Sequence, residues 1–401
     1  MFSVEFFYTI LTKNLIVPIK SHFFYFSKFG SVDPVYLTEL KNKDLITHPG
    51  NLMLCYDQEP LYYNYFKAIH TFSLEKTSLE WLRYLKSRDL PLVNNHFNVL
   101  INSEHSLEKD KILSTWDYYD WYYFYHGFAA LDWYRNIRYL PPIDKFSKIF
   151  ISFNNLFTEN RSYRLNFISQ VLEKKLESFG HISLNNNNRY EKIKQELFNP
   201  NSRLSAQSKK NIMANLLNSQ EPFLIDTENF DGSLSADDNL NTLCSAFCHV
   251  VTETIFYDEK LHLTEKIFKP IVAQRPFLLL GAPGNLEYLR SYGFRTFGQW
   301  IDESYDLEAD PDRRISLVVG EIEKLCSLNS DQLNTIFQEM KPTLEYNYNW
   351  FWTGFKEKIA HELVDNFEKC IDSHNQNLDK STNIIDKSSI DFKVIKMILS
   401  Q

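Results

Sequence analysis

Two carboxylates and an amine fall within a short stretch of this chain: Glu253 follows Thr252, and twelve residues on stands Glu265, in Thr264-Glu265-Lys266. The apolar run Ala246–Val251 predicts a buried strand ending at Glu253, and Thr264 reads as the N-cap of a helix over Thr264–Ala273. That order puts the two acids and the lysine at the carboxyl edge of a parallel sheet, where open α/β folds bind ligands. A nucleoside diphosphate needs this chemistry: cations and free N–H groups for its phosphates, and carboxylate acceptors for its ribose hydroxyls. The same three residues also make an ordinary helix start with an acid in its first turn.

A second cluster is Tyr125-His126-Gly127-Phe128, continuing to Asp132-Trp133 and Arg135. Rings with an interspersed acid and a histidine suit a wall against sugars or bases, and they suit an aromatic core equally. His126 is a candidate proton acceptor there, with Asp132 behind it. No Asp-x-Asp motif closes a buried strand. The literal match Asp310-Pro311-Asp312 is a helix start, with Asp310 as N-cap and Pro311 in the first position. Asp237-Asp238 stands in a polar loop. Cys244 and Cys248 lie near His249, but no second ligand pair at zinc-like spacing follows, so they read as core. Walker, dinucleotide-binding and nucleophile-elbow motifs are absent, which removes the kinase, dehydrogenase and hydrolase readings.

The elements that must position these residues form two α/β layers. Leu52–Tyr56 and Asn98–Asn102 read as buried strands, with helical spacing over Ser78–Ser87 between them. Pro141-Pro142 marks a linker. A fresh strand follows at Lys148–Phe153, then a loop with Arg161 and Arg164 and a helix to about Glu177, with Gly180 as its C-cap. Further on, Pro276–Leu280 reads as a strand and Asp310–Leu325 and Ser330–Tyr346 as helices. The expected fold is α/β, with two facing Rossmann-like domains. Residues 1–142 form the first domain and 143–345 the second, which the resemblance described next makes the acceptor-side and the nucleotide-sugar-binding domain. A helix over 346–372 returns to the first domain, and 373–401 is a polar tail whose apolar stretch from Ile390 docks.

The ordered set then resembles a known family. Glu253 at a strand end, Thr264-Glu265-Lys266, Arg275-Pro276-Phe277 through Gly281, and Asn285-Leu286-Glu287 are similar to the C-terminal domain of the α-1,3-fucosyltransferases and related fucosyltransferase-like proteins. The resemblance covers about half the chain, mainly Lys148–Phe297. It implies a two-domain glycosyltransferase of GT-B type, in which Glu265 holds the donor ribose while Lys266 and an upstream arginine, Arg161 or Arg164, neutralise the diphosphate. It also reaches Tyr56-Asp57-Gln58-Glu59-Pro60, where Glu59 matches the presumed general base. An inverting transfer needs such a carboxylate to take the acceptor's proton, with a raised pKa that the neighbouring Asp57 would favour. Lys and Arg would then do the charge neutralisation that a metal ion does elsewhere, so no metal and no cofactor beyond the sugar donor is expected. The expected acceptor is a glycan or other hydroxyl compound. A modified base in DNA is an alternative, as is a non-catalytic glycan-binding protein on the same fold.

The 401 residues allow two domains, and the 44% hydrophobic, 23% charged composition is that of a globular protein. A net charge of −8 argues against a protein whose main task is holding nucleic acid. Five irregularly spaced cysteines imply no disulfide framework and favour a reducing compartment. The first twenty residues, broken by Glu5, Lys13 and Lys20, do not read as a signal peptide, and no run approaches a membrane span. A cytoplasmic protein is expected.

Overall fold

The computed structural model describes residues 3–19, 22–25, 52–70, 97–137, 146–184, 189–217, 240–377 and 384–400. The Ser78–Ser87 helix, the Pro141-Pro142 linker and Asp237-Asp238 lie outside the described residues. The chain is α/β and divides into two compact units, Met1–Asp132 with Lys356–Gln401, and Trp133–Phe355. Among the described residues no helix is long and apolar enough to cross a membrane.

In the first unit, β1 (His22–Tyr25), β2 (Leu52–Tyr56), β3 (Asn98–Asn102) and β4 (Tyr119–Tyr122) pair in chain order, all parallel. Every residue of β3 is buried, so it shows no polar alternation, as a strand covered on both faces should not. The helix Gly354–Asn377 supplies cover for β4. Trp121 donates from its indole nitrogen to the Leu363 carbonyl at 2.9 Å, and its ring packs 4.2 Å from that of Phe367. The tail ends in a helix, Phe392–Ser400, that buries Ile395 and Leu399.

In the second unit, β5 (Lys148–Ser152), β6 (Gly180–Ile182), β7 (Ala246–Thr252) and β8 (Phe277–Leu280) form a parallel sheet in the order β8-β7-β5-β6. The chain leaves β5 for β6 on one side, then passes back to β7 on the other. The helix Tyr163–Glu173 packs with Ala206–Asn215 and Pro311–Cys326, whereas Phe268–Val272 packs with Ser330–Trp352. Asp310 caps Pro311–Cys326 by accepting from the Arg313 N–H.

Two local expectations change. The helix predicted over Thr264–Ala273 is a 3-10 turn, Glu265–Ile267, followed by one short α-helical stretch, Phe268–Val272. Pro270 has no N–H to return to the Lys266 carbonyl, so α-helical bonding cannot run through from Glu265, while proline suits the first turn of a helix opening at Phe268. Gly180 follows the 3-10 turn Glu177–Phe179, donating its N–H to the Glu177 carbonyl, but with an extended φ of −117° it makes no left-handed cap on the α-helix. The preceding helix ends at Glu173, and Lys175 takes the positive φ of 56°. Gly180 instead opens β6, where a Cβ would lie 2.2 Å from the Phe150 ring.

Candidate functional site

A cavity of about 220 Å³ opens in the second unit at the carboxyl ends of β5 and β7. These neighbours are the strands between which the order reverses, and doubly wound sheets bind ligands at that point. Ile151 and Phe153 from the β5 side, Val251 from β7 and Pro270 give it an apolar floor. Glu265, Lys266 and Lys269 bring charge to it.

Glu253 fixes this edge from inside. Its side chain is fully buried. One carboxylate oxygen accepts from the Thr264 backbone N–H at 3.2 Å, and the other accepts from the Thr264 hydroxyl at 2.5 Å and the Thr254 N–H at 3.2 Å. The Glu253 carbonyl in turn accepts from the Tyr163 hydroxyl at 2.6 Å. Three protein donors therefore occupy this carboxylate, and what it does here is hold Thr264-Glu265-Lys266 against the strand end.

Lys266 is the most exposed member of that trio, at 35% of its side chain. Its Nζ lies 2.9 Å from Glu265 Oε1 and donates to the hydroxyls of Thr264 at 3.1 Å and Thr254 at 3.3 Å. The ammonium is thus preset at the cavity by two hydroxyls and one carboxylate. Tyr134 donates to the Glu265 carbonyl at 3.2 Å, and burial, reinforced by Glu265 and Glu253, pushes its phenol well up.

The two arginines separate. Arg164 lines the cavity and is buried, with its terminal nitrogens donating to the carbonyls of Leu156 at 2.6 Å, Thr252 at 2.7 Å and Glu253 at 3.2 Å. Its Nε is buried without a hydrogen-bond partner. Arg161 sits half-buried in the 3-10 turn Glu159–Arg161 and does not line the cavity.

Comparison of the chain with protein-family models, with curated proteins and with solved structures gives no match.

Sequence reasoning missed Lys269, and it placed Trp133 in an aromatic wall and His249 beside the cysteines; all three line the cavity. Lys269 was within reach of such reasoning: three residues after Lys266, it shares that residue's side of the helix start. Its Nζ lies 4.7 Å from the centre of the Phe153 ring. Cys248 and His249 are consecutive on β7 and so point to opposite faces, which separates them as metal ligands. Among the described residues no group of three His, Cys, Asp or Glu side chains could hold a metal ion.

The first unit places Asp57, Glu59 and His126 at the carboxyl edge of its own sheet. Asp57 is fully buried and accepts from the Tyr8 hydroxyl at 2.9 Å and from the Tyr123 hydroxyl. Burial raises its pKa, and the two tyrosine bonds oppose that rise. Glu59 is half-buried in the turn after β2. That turn is anchored on its far side by buried Glu104, which accepts from the Leu61 N–H at 2.8 Å. His126 Nε2 lies 3.1 Å from the Gln58 carbonyl, so the ring packs one residue from Glu59. Asp132 is at the other end of the helix Tyr125–Trp133, where it accepts from the Val4 N–H at 3.1 Å.

Proposed function

We propose that the chain is a glycosyltransferase that uses a nucleoside-diphosphate sugar, with the second unit binding the donor. The observation that carries this reading is the cavity at the strand-order reversal, where an apolar floor meets Lys266, Lys269 and Glu265. A diphosphate matches the two ammonium groups, and a ribose or sugar hydroxyl matches Glu265. At about 220 Å³ the cavity suits the nucleoside part of such a donor rather than the whole molecule. In this reading Lys266 and Lys269 stabilise the departing diphosphate, no metal is required, and Glu59 or His126 in the first unit takes the acceptor's proton. The ordered motif similar to the fucosyltransferases, from Glu253 to Asn285-Leu286-Glu287, supports the same class and a GT-B arrangement.

The test is a panel of nucleoside diphosphates and their sugar conjugates in a thermal-shift titration, because a ligand that binds the native state raises its Tm. A rise with at least one conjugate, followed by transfer to an oligosaccharide acceptor, is the expected result. Transfer to duplex DNA alone would replace the glycan acceptor with a modified base. No shift with any member would sink the proposal.

A further inference from the structure

His249 stands in β7 opposite Ile151 of β5, and it lines the same cavity as Phe153, Val251 and Lys266. Its Nε2 lies 2.8 Å from the Leu243 carbonyl oxygen. A carbonyl oxygen only accepts, so Nε2 carries the ring proton and Nδ1 keeps its lone pair. Burial pushes the imidazole pKa down to about 3, against the raising effect of the Leu243 bond and with added repulsion from Arg275 and Lys269. At neutral pH the ring is therefore uncharged, with one nitrogen fixed as a donor to the protein and the other left as an acceptor. The floor residues beside it, Ile151, Phe153 and Val251, offer hydrophobic side chains only.

We infer that the apolar end of the cavity receives a nucleobase and that His249 determines which one, its Nδ1 accepting a hydrogen bond from a base N–H. This inference rests on the nucleotide reading of the site proposed above. The chemistry is selective because Nδ1 is acceptor-only. A base that turns an amino or imino N–H toward it gains a hydrogen bond in a dry pocket. A base that presents a carbonyl or ring nitrogen there sets two lone pairs against each other and leaves both unpaired. The hydrophobic floor discriminates little by itself, since every base has an apolar face. The imidazole sets a fixed acceptor beside this floor and so ranks the bases, while Lys266 and Lys269 would hold any diphosphate alike.

Calorimetric titration of ADP, GDP, CDP, UDP and inorganic pyrophosphate into the wild type and into His249→Phe separates these roles. The wild type should prefer one or two bases by about tenfold or more, roughly the effect of one buried hydrogen bond. In His249→Phe the four nucleotides should converge while pyrophosphate affinity stays unchanged. Equal affinities in the wild type, or a preference that survives in the variant, would overturn the inference and leave the nucleotide site standing. Failure of the wild type to bind any nucleotide would remove the site and the inference together. Because the substitution also removes the Leu243 bond, nitrogen-15 NMR of histidine-labelled wild type gives a second readout. The unprotonated Nδ1 resonance of His249 should move upfield with the preferred nucleotide and stay in place with pyrophosphate. No movement with the nucleotide would count against the inference equally.

Discussion

Glu253 holds Thr264 by two groups at once, its carboxylate accepting from both the backbone N–H and the side-chain hydroxyl. The acid at the end of β7 and the cap of the next helical segment are therefore one unit, and Lys266 donates to the same Thr264 hydroxyl. Replacing Glu253 with Ala leaves two Thr264 donors and the Thr254 N–H buried without an acceptor. We expect a loss of about 1–3 kcal/mol in stability, together with weaker ligand binding through a loosened Lys266. Urea denaturation checks the first effect. An unchanged midpoint would mean that Thr264 is held by something other than this carboxylate.

The binding roles of the cations should separate by variant. Lys266→Ala should weaken nucleoside-diphosphate binding by about 1–3 kcal/mol, the range for a charged hydrogen bond, with little change in Tm. Arg164→Ala should instead lower Tm, because its guanidinium donates to three carbonyls around the end of β7. Arg161→Ala should do neither to a comparable extent. Calorimetry and thermal melts on the three proteins test this order, and normal affinity in Lys266→Ala would remove the lysine from the site.

Much of this arrangement was legible in the sequence, for a definable reason. Leu52–Tyr56, Val99–Ile101 and Ala246–Val251 are mostly apolar runs with polar stops, and burial on both faces of a parallel sheet leaves that signature in one dimension. What stayed hidden depends on direction. A sequence shows that Glu253 ends a strand but not that its carboxylate turns inward onto Thr264. It suggests two arginines in one loop, but not that Arg164 stands in the first turn of the helix Tyr163–Glu173 and reaches the cavity while Arg161 does not. His249 looked like a companion of Cys244 and Cys248 until the strand's alternation put it on the other face from Cys248. Gly180 looked like a helix cap because a glycine is often needed there, whereas the Phe150 ring is what requires it.

Asp306 supplies a pH-dependent prediction. Burial raises its carboxyl pKa to about 6 from the usual 3.8, although it accepts from the Leu286 N–H at 3.0 Å. For an acid raised in this way, the folded state holds its proton where the unfolded state has lost it. Its contribution to stability is therefore most favourable below pH 4 and declines as pH rises to about 6. Asp306→Asn removes the ionisation while its amide oxygen can keep the Leu286 bond. The variant should gain about 1–3 kcal/mol over the wild type at pH 7, and the gain should vanish by about pH 4. Chemical denaturation across that range gives the difference directly. A gain that does not depend on pH would rule out the ionisation as its source.

On the transferase reading proposed above, Glu59 and His126 are the candidate proton acceptors, because Asp57 and Asp132 are committed to structural bonds. Asp57 is sealed under the hydroxyls of Tyr8 and Tyr123, and Asp132 accepts from the Val4 N–H. A general base must reach the acceptor hydroxyl, and half-buried Glu59 meets that requirement better than a fully buried carboxylate. Glu59→Gln keeps the side chain's shape and removes its basicity, so kcat should fall by about 10²–10⁴-fold with donor affinity unchanged. His126→Phe should have the smaller effect, through the lost contact to the Gln58 carbonyl and the displaced turn that carries Glu59. Steady-state kinetics on both variants, with donor binding measured separately, decides between them. Full activity in Glu59→Gln beside collapse in His126→Phe would assign the proton to the imidazole, with the Gln58 carbonyl as the group that orients it.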